Sequence, residues 1–298
     1  MVRLPKKIQT AQPILEGAGV HLHRGFGFGE TTPFDPFLLF DDFRNDDPKK
    51  YMNGFPWHPH RGIETVTYVL AGNVEHRDSL GNEGSLGAGD LQWMTAGSGI
   101  MHQEMPHGDQ QGQMHGFQLW ANLPAKHKMT KPRYQDVSSS EIPSIVDDDG
   151  TTVRVLCGEF WGKIGPIQSI AGEPRYLDIS LPPNSKRFIP IETTRHAFAY
   201  VIEGTIRFQD SSDPQAIRVE DPLSHQALQQ FAANRSLVLF DQGDSIFVES
   251  GEQGGRFLLA SGEPLQEPVA WRGPIVMNTQ EELREAFREI GNGSFIKS

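Results

Sequence analysis

The chain carries one cysteine, Cys157, among 298 residues. A lone thiol excludes an internal disulfide, a multi-thiolate zinc site and a CxxC redox motif. Its expected role is that of a small buried apolar side chain. No apolar run approaches the length of a membrane span, so no membrane partner is expected. The basic opening, Met1 to Lys7, is not followed by the apolar stretch of a secretory signal. A reducing cytoplasm is the expected compartment, or the nucleus in a eukaryotic source. Positive charge is scarce as well: 27 Lys and Arg against 38 Asp and Glu give a net charge of −11. Without a basic cluster to offset that charge, direct nucleic-acid binding through phosphate contacts is not expected.

Long helical patterns are also missing. The 31 Gly and 21 Pro punctuate the chain and favour many short strands. Strand candidates include Pro36-Phe37-Leu38-Leu39-Phe40, Thr65 to Leu70, Val74 to Ser79, Leu91 to Thr95 and His115 to Trp120, each closed by Gly, Asp or Asn turn signals. Strands of this length and spacing predict an antiparallel sandwich or barrel. Residues 135–150, with Ser138-Ser139-Ser140, Pro143 and Asp147-Asp148-Asp149, read as an exposed connection. Beyond it the pattern returns. Phe198 to Gly204 echoes Thr67 to Gly72, and Gln242 to Val248 echoes Ala88 to Met94, in the same order. That order predicts a duplicated barrel, in residues 1–134 and 151–298. One helix closes the chain. Thr279 and Glu282 form a capping box; Leu283, Ala286, Phe287 and Ile290 share one face, and Gly291 and Gly293 stop it.

His58-Pro59-His60 places two imidazoles at i and i+2, which a strand presents on one face. His102-Gln103-Glu104 repeats the spacing with an imidazole and a carboxylate. Two such segments flanking one hairpin region converge if their strands neighbour or face each other. His21-Leu22-His23 has no second pair beside it and reads as a surface coincidence. Three imidazoles and a carboxylate make a nitrogen and oxygen donor set that suits Fe(II), and equally Zn, Mn, Co, Ni or Cu. Glu64 competes with Glu104 as the carboxylate. Two carboxylates would neutralise a divalent ion fully and crowd its open positions. Glu104 is therefore the expected ligand, and Glu64 the expected outer partner, paired with Arg61. The second half has only His196 near Phe198, so its barrel is expected to hold no metal.

At these residues the sequence resembles the pirins of the cupin superfamily. The resemblance runs through Asp35 to Phe43, His58 to Val66, His76 to Ser79, Gly89 to Gly97, Gly99 to Pro106, His115 to Pro124, Gly262 to Leu265 and Gly273 to Thr279. It implies an all-β fold of two tandem jelly-roll cupin barrels with a short C-terminal helix. Residues 1–134 would form the metal-binding barrel, 135–150 the linker and 151–298 the metal-free barrel with the helix. It also implies metal ligands at His58, His60, His102 and Glu104, with iron the usual occupant, and no organic cofactor.

The resemblance implies one of two roles. The first is a quercetin 2,3-dioxygenase-type oxidoreductase that opens a flavonol ring with O2. In that enzyme Glu104 is the expected general base, and Asp42, Phe43, Trp93 and Met94 are candidate pocket residues. The alternative is a metal- or redox-dependent binder of a protein partner, either a transcription co-regulator or a modulator of a metabolic enzyme. A zinc hydrolase or isomerase is a third reading.

Overall fold

The computed structural model describes residues 1–209 and 231–297. The chain divides into two compact units, both mainly antiparallel β structures as the strand pattern predicts; the short strand Val2–Arg3 pairs parallel with Ser245–Gly262. The division does not follow the sequence halves. One unit comprises 12–31, 36–141 and 265–298; the other comprises 1–11, 32–35 and 142–264. Pairing explains the exchange of ends. Pro5–Thr10 completes its hydrogen bonds against Ser236–Phe240, and the tail strand Ile275–Met277 joins the turn at Arg61. The segment 135–150 is also more than a bare connection. Arg133–Val137 pairs with Leu91–Thr95, and Ser144–Val146 pairs with Thr152–Cys157.

In the first unit a seven-stranded sheet runs Arg133–Val137, Leu91–Thr95, Ile63–Ala71, His115–Asn122, Phe37–Asp42, Val20–Phe26, Gln12–Glu16. A four-stranded sheet runs Phe55–His60, Ile100–His107, Asn73–Asp78, Glu83–Leu86. Ile63–Ala71 is an interior strand buried on both faces over residues 63–69, so Thr65 to Val69 form a continuous run of β-branched and aromatic residues rather than an alternation. Ile100–His107 alternates: Ile100, His102, Glu104 and Pro106 are buried, and the residues between them are partly exposed. Phe55–His60 is an edge strand, which is why it tolerates Pro56 and Pro59.

The other unit holds a sheet built around the 18-residue strand Ser245–Gly262. Val153, Val155, Leu177, Ile179, Val201 and Phe257 contribute to its buried core. The segments that echo one another in sequence lie on strands that pair in each unit, 63–71 with 91–95 and 196–207 with 245–262. Cys157 is buried, as expected.

The C-terminal helix is Gln280–Asn292, with the Thr279–Glu282 capping box formed. Gly291 lies inside it rather than stopping it. Gly293, at φ 76°, is the left-handed residue that ends the helix. Leu283 and Ala286 are buried beside Ile275 and Met277. Arg61, 2% exposed, ties this tail to the first unit's sheets. Its guanidinium donates to Ser98 O, Glu289 Oε2 and Phe295 O at 2.7, 2.7 and 2.9 Å. Arg61 therefore does not pair with Glu64. Gly62 sits at φ 77°, and a Cβ there would lie 1.9 Å from Val276 O, so the tail's approach requires glycine.

Candidate metal centre

The edge strand Phe55–His60 pairs antiparallel with Ile100–His107, with His102 opposite His58 and Ile100 opposite His60. Directly opposed residues face the same side, so the two histidine segments converge. The register shifts between His102 and Glu104, which then lies opposite Phe55. The ring centroids of His58, His60 and His102 are 4.4 to 5.0 Å apart. Their ligand atoms all lie within 4.8 Å of one another.

Two backbone carbonyls set the tautomers. His58 Nδ1 is 2.8 Å from Pro56 O, and His60 Nδ1 is 3.2 Å from Pro274 O. A carbonyl only accepts, so each Nδ1 carries the hydrogen and each Nε2 carries a bare lone pair. Those two Nε2 atoms stand 3.1 Å apart. Two lone pairs at that distance repel, and a cation between them converts the repulsion into coordination. Both ring nitrogens of His102 are buried without a hydrogen-bond partner, and a bound ion would remove that cost at one of them. Burial pushes His60 and His102 well below the usual imidazole range, and repulsion among the rings adds to it. Burial also lowers His58. All three are thus neutral donors at pH 7, and the donor set fits a borderline divalent ion.

Glu104 is 8% exposed, with Oε2 3.9 Å from His102 Nε2. Burial pushes its carboxyl up to about 7. Oε1 lies 3.4 Å from Thr67 Oγ1, whose hydroxyl donates to Gln118 Oε1 at 2.6 Å. Glu64 lies elsewhere. The pairing of 63–71 with 91–95 has no register shift, so parity holds, and Glu64 and Thr67 occupy opposite faces. Glu64 accepts from Thr95 Oγ1 at 2.8 Å, and burial pushes it up to about 7.

His58, His60 and Glu104 border a cavity of about 600 Å³ in this unit, and His102 lies buried behind them. Of the four candidate pocket residues, Phe43 lines it. Asp42 is instead held by Arg44 at 2.6 Å. Trp93 faces the Glu64 side, opposite Val66. Met94 packs in a core cluster with Leu38, Ile63, Ala96, Ile100 and Val276. Sequence reasoning missed Asp41, Thr67, Gln118, Trp120 and Trp271, all of which line the cavity. Trp120 meets His60 edge-on at 5.0 Å. His76, opposite Glu104 across the strand pair and stacked on Tyr134 at 5.6 Å, was also missed. His196 lies on a strand of the other unit, and among the described residues no cluster of metal-binding type includes it.

Residues 19–121 match the family model described as Pirin, and residues 176–296 match the Pirin C-terminal cupin domain. A pirin-like protein of Caulobacter vibrioides is 42% identical over 99% of both chains. Human pirin is 41% identical over 93% of this chain and 90% of its own. A crystal structure of quercetin 2,3-dioxygenase from Acinetobacter baumannii is similar over 99% of both chains, with a TM-score of 0.85 and 28% identity. The architecture is that of a two-domain cupin. Among the described residues, no helix is long and apolar enough to cross a membrane.

Proposed function

The chain belongs to the pirin family, and from that premise we propose that it is a metal-dependent dioxygenase of the quercetin 2,3-dioxygenase type. Its substrates are then O2 and a flavonol or a similar planar enol. His58, His60, His102 and Glu104 would hold the ion, with Fe(II) as the proposed occupant. The observation that carries this reading is the pair of bare Nε2 atoms 3.1 Å apart, each fixed by a carbonyl at the opposite ring nitrogen. A structural ion would not need the wide cavity that opens onto these rings.

Ferrous iron at this position supplies Lewis acidity toward an enolic oxygen and redox access to O2. The chain's residues supply the rest. Glu104 is placed to take the proton of the enolic hydroxyl on an Oε atom if it leaves the ion, because burial without the cation pushes its carboxyl up to about 7. Once protonated it can donate to the free lone pair of Thr67 Oγ1, because Thr67 spends its own hydrogen on Gln118. Trp120, Leu39 and Phe43 give the cavity apolar walls that exclude water and hold a flat ring system.

The test loads the protein with Fe(II) anaerobically, adds quercetin, admits O2 and analyses products. A depside and carbon monoxide above the metal-free control are expected. If neither appears, the dioxygenase reading fails and metal-dependent binding of a protein partner takes its place.

A further inference from the structure

The inner face of the seven-stranded sheet carries one row that is polar from edge to edge. In register across the seven strands stand Asp136, Gln92, Thr67, Gln118, Asp41, Arg24 and Gln12, each directly opposite the next. The next row toward the ring cluster contains Met94, Thr65, Trp120 and Leu39. The polar row is not surface decoration, since Gln92 and Thr67 are each 2% exposed and Asp41 is 6% exposed. Burying such groups is costly unless they are bonded, and an inner sheet face is ordinarily apolar.

Four consecutive members, Thr67, Gln118, Asp41 and Arg24, line the cavity. One end of this strip touches Glu104 through Thr67. At the other end Arg24 donates to both Asp41 oxygens, at 2.8 and 2.7 Å, and its Nη1 lies 3.1 Å from Glu16 Oε1. Burial pushes the Asp41 carboxyl up to about 6 against the pull of Arg24, which leaves it an acceptor at neutral pH. Asp41 is two strands from Thr67, a separation of about 10 Å. Two carboxylates and one guanidinium give that end a formal charge of −1.

We propose that this strip determines specificity: Asp41, Arg24 and Gln118 read hydroxyl groups on the end of the substrate remote from the metal. It favours uncharged, polyhydroxylated planar aromatics and disfavours those that carry a carboxylate there. The inference rests on reading the cavity as the substrate site. The chemistry follows from the groups present. Asp41 keeps lone pairs beyond those used by Arg24, Gln118 offers an amide, and the net negative end repels a second anion. The apolar side chains beside the strip, Leu39 and Trp120 among them, accept a flat ring and add no selection among hydroxyl patterns.

The test measures binding rather than turnover. The full chain is loaded with zinc, which passes no electrons to O2, and ligand binding is read by quenching of Trp57, Trp120 and Trp271, which line the cavity. The probes are quercetin, galangin (quercetin without the hydroxyls of its phenyl ring), and a flavonol carrying a carboxylate on that ring. Quercetin is expected to bind about tenfold or more tightly than galangin, the worth of a hydrogen bond to a charged group, and the carboxylated probe is expected to bind weakest. The double variant Asp41→Leu/Arg24→Leu removes both partners together. Gln118→Leu provides a second variant should the first fail to fold. Each should retain zinc and bring the quercetin to galangin ratio toward one. A ratio near one in the unaltered protein, or a ratio unchanged in a folded variant, overturns the proposal. If the ratio holds while Fe(II) and O2 give no ring opening, the dioxygenase reading falls and the strip stands. Ring opening without the ratio has the reverse meaning.

Discussion

His58 and His60 owe their usefulness to atoms outside their own side chains. Pro56 O and Pro274 O hold the Nδ1 hydrogens and leave Nε2 free. With all three imidazoles pushed below their usual range, protons do not compete for them near neutrality. Glu104 is the exception, with a carboxyl near 7. Metal must displace that proton, so affinity for a divalent ion should fall about tenfold per pH unit below about 7. Glu104→Gln should bind the ion more weakly and lose that slope down to about pH 6. Equilibrium dialysis across this range checks it, and an unchanged slope in the variant would mean that another group titrates.

Glu64 gives a contrasting prediction. Its folded pKa is raised from 4.5 to about 7 by burial. For an acid whose pKa is raised on folding, stability is fully present below the unfolded value and is lost as pH rises through the folded one. The loss amounts to about 3 kcal/mol at most. Glu64→Gln should therefore gain thermal stability relative to the unaltered chain as pH goes from about 5 to about 8, with metal affinity unchanged. A large loss of metal would return Glu64 to the coordination sphere.

At the scale of elements, the strand Ile100–His107 shows what sequence could and could not give. Its alternation puts His102 and Glu104 on one buried face, and the spacing alone announced that. Gly62 could have bent the next strand, but parity from Glu64 to Tyr68 proved regular. The sequence did not reveal that Arg61 and Gly62 anchor the tail segment from Ile275 to Phe295, far along the chain. Gly62→Ala would set a Cβ against Val276 O. It should displace the tail strand and loosen Pro274 O from His60. A loss in metal affinity of about 10- to 100-fold is expected, as for other groups that orient a ligand, with all four ligands intact. Arg61→Ala leaves Ser98 O and Phe295 O without their donor, and should cost about 3 kcal/mol or more, read as a fall in Tm.

At the scale of the whole chain, the all-β class, the duplication and the histidine segments were legible because each rests on short-range periodicity. The exchange of termini was not. Pro5–Thr10 and Ile275–Met277 are ordinary short strands, and nothing in their composition names their partners. The cavity wall was legible only in part for the same reason. Asp41, Gln118 and Thr67 become one row only when the register of three strands is known. Trp271 and Pro274 join the site because the tail belongs to the first unit.

A crystal structure of the Fe(II)-loaded protein, with anomalous scattering to place the ion, tests the metal centre most directly. The expected result is one ion within about 2.0–2.2 Å of the Nε2 atoms of His58 and His60, a ring nitrogen of His102 and a carboxylate oxygen of Glu104, with Glu64 still bonded to Thr95. An ion ligated by Glu64, or one that leaves any of the three histidines unbound, would contradict it.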